Sequence, residues 1–281
     1  MKKYYTRVCN FTYSKLSIEL VNKKKNLPLN GNNKFSFSQI EIITRDSRKI
    51  INLKDIKKLP KSLRVKIKKD LKIITKKNNN FSNLNFNKTP NIMGVLNLTP
   101  DSFSDGGKFN KKKTGLKHAF DLLKFGADIV DVGGESTRPG SKSISEKKEW
   151  NRIEKIIREI GKKIPLSLDT RKSSIMNKGI KMGIKLINDV SGLTYDSKTI
   201  DLLKKNKSPF IIQHSLGTPE NMQNNPKYKN ELLDIYDFFE EKIKFLRSKG
   251  IKHSNIIIDP GIGFGKNLKH NMNLIRGVSI F

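Results

Sequence analysis

Six segments of this chain run from short apolar stretches into a side chain that can donate or accept a hydrogen bond, and then into a loop of small residues. IMGVLNLTPDSFSDGG reaches Asn97, and DIVDVGGESTRPGS reaches Asp131 before Gly133, Gly134, Glu135, Thr137 and Arg138. IPLSLDTRKS ends at Asp169, IKLINDVSGL at Asn188 and Asp189, SPFIIQHSLGTPENM at Gln213 and His214. NIIIDPGIGFGKN ends at Asp259, with Gly261, Gly263, Gly265 and Lys266 beyond it. Carboxylates and amides are suited to recognising a polar ring edge, because between them they offer both donors and acceptors. Taken singly, each is equally an ordinary turn or helix-capping residue. Their repetition in one kind of place argues for a site.

Fully apolar strands that alternate with helix-length segments read as a parallel sheet covered by helices. Helices are expected over Thr114–Phe125, Ser145–Ile160, Ser173–Met182 and Asn230–Lys249. Polar residues gathered at strand C-termini point to a (β/α) barrel, whose loops on that face build the site. GIGFGK is neither a Walker A loop nor a dinucleotide fingerprint: Asn267 follows Lys266, and the glycines are one position short of G-x-G-x-x-G.

MGVLNLTPDSFSDGG followed by GADIVDVGGESTRPGS resembles the two signatures of dihydropteroate synthases, and SLDT, INDVSG and IDPGIGFGKN resemble that family's later motifs in the same order. The likeness covers about Asn91 to Gly277. It implies an α/β fold, a TIM (β/α)8-type barrel incomplete here at about six of eight βα units, with an N-terminal extension. It implies an enzyme of folate biosynthesis, a transferase in which p-aminobenzoate displaces diphosphate from 6-hydroxymethyl-7,8-dihydropterin diphosphate to give 7,8-dihydropteroate. Asp169, Asn188 and Asp259 are then the pterin partners, and Thr137 and Arg138 the diphosphate and aminobenzoate contacts. A planar guanidinium pairs with either anion.

By the same resemblance Asn97 is a ligand to Mg²⁺, a cation that takes few protein ligands and meets substrate phosphates. Asp131 orients its neighbours. Phe264 is either an aromatic wall for the aminobenzoate ring or a packing residue of its loop, and Lys266 is placed to face the diphosphate. His214 reads as structural, and no side chain is assigned as nucleophile or base. Related pterin-barrel methyltransferases would not be expected to carry the TPDSFSDGG loop. A pterin-binding relative without catalysis, and a basic scaffold, are the other readings.

Two departures from the family stand out. Ser215 and Leu216 occupy a loop that is often Met-rich. The family's seventh and eighth strands, with Ser-Arg-Lys and Arg-x-His motifs, have no counterpart before Phe281, so the chain by itself is expected to be aggregation-prone or partly unfolded, with little or no synthase activity.

The 281 residues carry a net charge of +31. Lysine outnumbers arginine 47 to 10 and is scattered, which argues for weak polyanion attraction and against a specific nucleic-acid partner. One cysteine, Cys9, excludes a disulfide framework. The expected setting is the cytoplasm, with no membrane span and no secretory signal, and the partners are small-molecule substrates and a second copy in a homodimer when complete. Residues 1–90 form the expected extension and 91–281 the barrel domain. The extension holds 23 basic residues against 5 acidic ones. FSFSQIEIIT and KIINL read as a hairpin, Leu53–Ile74 as a basic helix broken or started at Pro60, and Lys76–Lys88 as a linker.

Overall fold

Valine, isoleucine and leucine runs of four or five residues form six parallel strands, because β-branched side chains pack well on both faces of a covered sheet. They are β5 (Met93–Asn97), β6 (Ile129–Gly133), β7 (Leu166–Asp169), β8 (Leu186–Asp189), β9 (Phe210–Gln213) and β10 (Ile256–Asp259). Each pairs in parallel with its neighbour in sequence, in the order β5-β6-β7-β8-β9-β10. This is the strand order of a (β/α) barrel, with a helix after every strand. Those helices are α3 (Lys112–Lys124), α4 (Glu146–Ile160), α5 (Ser173–Lys181), α6 (Thr199–Asn206), α7 (Glu231–Ser248) and α8 (Leu268–Gly277).

The computed structural model describes residues 3–77, 90–99, 112–138, 140–217 and 221–281. The TPDSFSDGG loop from Pro100 onward, and the expected linker from residue 78 onward, lie outside the described residues. Contacts divide the chain into one unit of residues 1–79 with 273–281 and another of residues 80–272.

Helix α4 shows how local sequence sets an element. Ser145 caps it by accepting from the Lys148 N–H at 3.3 Å, and Glu146 and Glu149 lie in its first turn. Trp150, Ile153, Ile156, Ile157 and Ile160 form its buried stripe. Helix α7 is capped by Asn230, which accepts from the Leu233 N–H at 3.1 Å. The eight residues of α6 were not among the expected helices, since TIDLLKKN is too short to establish a helical period.

In the first unit, β1 (Tyr5–Tyr13), β2 (Leu27–Leu29) and β4 (Arg48–Asn52) all pair antiparallel with β3 (Asn32–Ile43). The expected hairpin is β3–β4. The expected basic helix is a 3₁₀ turn at Leu53–Lys58 and α2 (Lys61–Ile74), separated around Pro60, which has no N–H to continue a helix. Three elements were not anticipated, β1, β2 and α1 (Ser14–Asn22). Val8, Phe37, Ile40, Ile51, Ile67 and Leu71 build the core. Residues 273–281 join this unit: Arg7 Nη1 donates to the Arg276 carbonyl at 2.9 Å, and Ser279 Oγ to the Val8 carbonyl at 2.9 Å.

Candidate active site

Side chains alternate across a strand, so every second residue shares a face. Met93, Ile129, Leu186, Ile211 and Ile257 pack together as one cluster. Counting two residues on from each gives Val95, Asp131, Asn188, Gln213 and Asp259, the same face nearer the strand C-termini. Asn97, Gly133 and Asp169 lie on the same face, level with Asn188, for the register pairs Asn97 with Gly133, Gly133 with Asp169, and Asp169 with Asn188. Gln213 pairs with Asp259. An apolar floor therefore carries a ring of amides and carboxylates above it.

Gly133 has a steric reason. A Cβ there would lie 2.9 Å from Asn97 Oδ1 and 3.2 Å from Asp169 Oδ2, so both oxygens occupy the space a side chain would fill. Asn188 Nδ2 donates to Asp131 Oδ2 at 2.8 Å. Burial pushes the Asp131 carboxyl up, against the hydrogen bond from Asn188. Burial, followed by the charge of Asp131, pushes Asp169 well above the usual carboxylate range. Two desolvated carboxyls this close disfavour double ionisation, so the pair retains a proton more readily than free aspartates. That gives the site a carboxyl able to donate as well as accept.

Asp131 Oδ1, Asn188 Oδ1 and Gln213 Nε2, three buried polar atoms on this face, have no hydrogen-bond partner among the described residues. Buried polar groups are normally paired, so three orphans at one end of a sheet call for a ligand. They comprise two acceptors and one donor. Asp259 uses Oδ1 to accept from the Gly261 N–H at 2.7 Å. Gly261 has φ +68°, and a Cβ there would collide with the His214 carbonyl, so only glycine makes this turn.

A family profile described as "Pterin binding enzyme" matches residues 93–281. A dihydropteroate synthase of Neisseria meningitidis serogroup C is 44% identical over 191 residues, spanning 66% of this chain and 67% of that protein. The chain belongs to the dihydropteroate synthase family. The Escherichia coli K12 dihydropteroate synthase is 37% identical over 194 residues, covering 68% of each chain. A solved Yersinia pestis dihydropteroate synthase, in a sulfonamide drug complex, superposes with a TM-score of 0.64 at 39% identity over 67% of this chain and 69% of that one. A Burkholderia cenocepacia dihydropteroate synthase complexed with 7,8-dihydropteroate gives 0.61 at 32% identity, over 70% and 67%.

Of the residues expected from the family likeness, Asn97, Asp169 and Asn188 lie in one register row, with Gly133 between the first two, and Asp259 lies on β10 beside Gln213. Thr137 and Arg138 are on the loop after β6, Thr137 half-buried and Arg138 exposed. Phe264 is half-buried on the loop after β10. Lys266 departs from its expected orientation towards diphosphate. It is buried, with Nζ 2.7 Å from the Phe264 carbonyl, 3.2 Å from the His214 carbonyl and 3.2 Å from His214 Nδ1. A flexible stem carrying three donors is well suited to tie a glycine-rich turn together from inside. Burial brings Lys266 down to about 8, and burial with the Lys266 charge brings His214 down to about 3, so this imidazole is neutral.

One network was not anticipated in this dihydropteroate synthase family member. Glu135 accepts from Arg171 Nε at 2.9 Å, Lys172 Nζ at 2.9 Å and the Ile144 N–H at 2.8 Å. Lys172 Nζ also donates to Glu149 Oε2 at 2.5 Å, whose other oxygen takes the Thr170 hydroxyl at 2.5 Å. Burial raises Glu135, but the Ile144 N–H and the Lys172 and Arg171 cations outweigh it and hold its carboxyl below the usual range. At Glu149 burial prevails over Lys172 and Thr170, and its carboxyl is raised. The network ties the start of the STRPGS loop to the loop after β7 and the first turn of α4. The only signal for it in sequence was acidic and basic residues following two strand ends.

Proposed function

We propose that this chain condenses 6-hydroxymethyl-7,8-dihydropterin diphosphate with p-aminobenzoate, giving 7,8-dihydropteroate and diphosphate. The observation that carries the reading is the layer of orphaned buried acceptors and a donor at the strand C-termini, in a chain of this family. A pterin ring presents an amide edge and a guanidine-like edge, and buried amides and carboxylates complement both. A site whose polar groups are left unpaired by the wrong ligand rejects that ligand strongly. Asp169, Asn188 and Asp259 hold the pterin in this reading, while Thr137 and Arg138 take the anionic groups. Phe264 borders the aminobenzoate ring.

The reaction breaks the bond between the pterin CH₂ carbon and the diphosphate oxygen, and the aminobenzoate nitrogen bonds to that carbon and loses a proton. Negative charge develops on the departing diphosphate, so cationic donors on the β6 loop act where charge appears. The residues fit a Mg²⁺ shared with the substrate: Asn97 presents a hard amide oxygen, at the strand end beside the Asp169 carboxylate. Among the described residues no cluster of three His, Cys, Asp or Glu would hold a metal by itself. When bound, Mg²⁺ would neutralise diphosphate charge. The same reading includes a homodimer and a cytoplasmic setting, supported by the family likeness and the single free Cys9. No helix among the described residues is long and apolar enough to cross a membrane.

Diphosphate release with both substrates tests the reaction. Asp169→Ala and Asn188→Ala should each weaken pterin binding by about 1–3 kcal/mol, because each removes a partner from a buried polar edge. Calorimetry showing unchanged affinity in both variants would refute the pocket, and pterin binding without turnover would replace the enzyme with a binding module.

A further inference from the structure

Gln213 ends β9 on the ligand-facing layer and is 4% exposed. Its side-chain amide makes no hydrogen bond among the described residues, and Nε2 is fully buried. The stem is confined: its Cγ lies 3.2 Å from the point a Gly261 Cβ would occupy. Its register partner, one strand away at about 4.8 Å, is Asp259. Asp259 spends Oδ1 on the Gly261 N–H, and its Oδ2 accepts no hydrogen bond among the described residues. A carboxylate oxygen and an amide N–H thus stand side by side, both unfilled. Such a pair complements a ring edge that offers an N–H next to a carbonyl.

We infer that Gln213 is a specificity-determining residue, donating from its side-chain amide to the carbonyl of the pterin's lactam edge while Asp259 accepts from the adjacent ring N–H. This rests on the pterin reading of the pocket and deepens it. An unpaired buried amide destabilises the empty protein, so its presence at this position is explained by what it does for the bound ligand. It also makes the pocket select an oxo ring over its amino counterpart. A pteridine with an amino group in place of that carbonyl would set donor against donor.

The test uses the full chain, 6-hydroxymethylpterin, and the 2,4-diamino analogue of the same compound, with affinities from calorimetry. The parent should prefer the pterin. Gln213→Met, nearly isosteric, should lose roughly tenfold or more in pterin affinity, and the preference over the diamino analogue should shrink by a similar factor. The same variant should unfold at a higher denaturant midpoint without ligand, because the unpaired amide is gone; a residue retained for packing or structure would lower it. Gln213→Glu, which replaces the donor by an acceptor, should shift preference towards the diamino compound. A Gln213→Met protein with the parent's pterin affinity and preference would overturn the role of Gln213 alone. A parent protein that binds neither pteridine would overturn the pocket assignment and this role with it.

Discussion

Asp189 and Asn188 are neighbours in sequence with opposite duties, because consecutive strand residues point to opposite faces. Asn188 faces the ligand layer, whereas Asp189 turns away and accepts from the Ser191 N–H at 2.8 Å and its hydroxyl at 2.6 Å. Burial pushes the Asp189 carboxyl up to about 6, against those hydrogen bonds. The folded state therefore holds this proton more tightly than the unfolded chain does. Its contribution to stability is complete below about pH 4 and is lost as the pH rises to about 6, a change of about 3 kcal/mol. Asp189→Asn keeps an acceptor for Ser191 without a charge to desolvate. Its stability relative to the parent should improve by about that amount between pH 3.5 and pH 7, and denaturant melts at the two values check it. Asn97 makes a different demand. Asn97→Ala should reduce Mg²⁺-dependent diphosphate affinity and leave free pterin binding nearly unchanged; equal loss of both in calorimetry would assign Asn97 a general structural role.

At the scale of elements, the loops after β6 and β7 are held together by a cluster of buried charges. Lys172 bridges Glu135, on the loop after β6, and Glu149, in the first turn of α4. All three side chains are buried. The two carboxylates outweigh burial and raise the Lys172 ammonium above its ordinary value, so it stays charged. Removing one member of a buried ionic cluster strands its partners, at a cost of about 3–5 kcal/mol. Lys172→Met should lower unfolding free energy by that order, whereas Lys162→Met, on an exposed turn, should change it by less than about 0.5 kcal/mol. Equal stability of the two variants in urea would show that the network is not needed to hold these loops.

For the whole molecule, the dominant quantity is the net charge of +31. Such a field draws anions towards the surface and is screened over about 10 Å at 0.1 M salt. Association of the pterin diphosphate should therefore slow steeply as salt rises from 20 to 200 mM, while the uncharged hydroxymethyl pterin should be nearly indifferent. Stopped-flow association rates for the two ligands make the comparison, and parallel salt dependence would rule out electrostatic steering.

Local chemistry was enough to read much of this from the chain. Apolar runs ending in Asn97, Asp131, Asp169, Asn188, Gln213 and Asp259 marked six parallel strands, since strand length, β-branched content and a terminal polar residue are all local properties. The helices over α4, α5 and α7 were legible for the same reason, and the motif order identified the family. Only the folded structure decided who meets whom. Asn188 reaches Asp131 across 57 positions, and Lys172 reaches Glu135 across 37. Such pairings depend on register between strands that no local period encodes. Lys266 illustrates the limit: its sequence context is a glycine-rich loop open to an anion, but the turn at Gly261 and Gly265 folds its ammonium inward onto carbonyls. Gln213 is the converse. In sequence it is one polar residue after an apolar run, and burial beside Asp259 with no partner is what turns it into a donor waiting for a ligand.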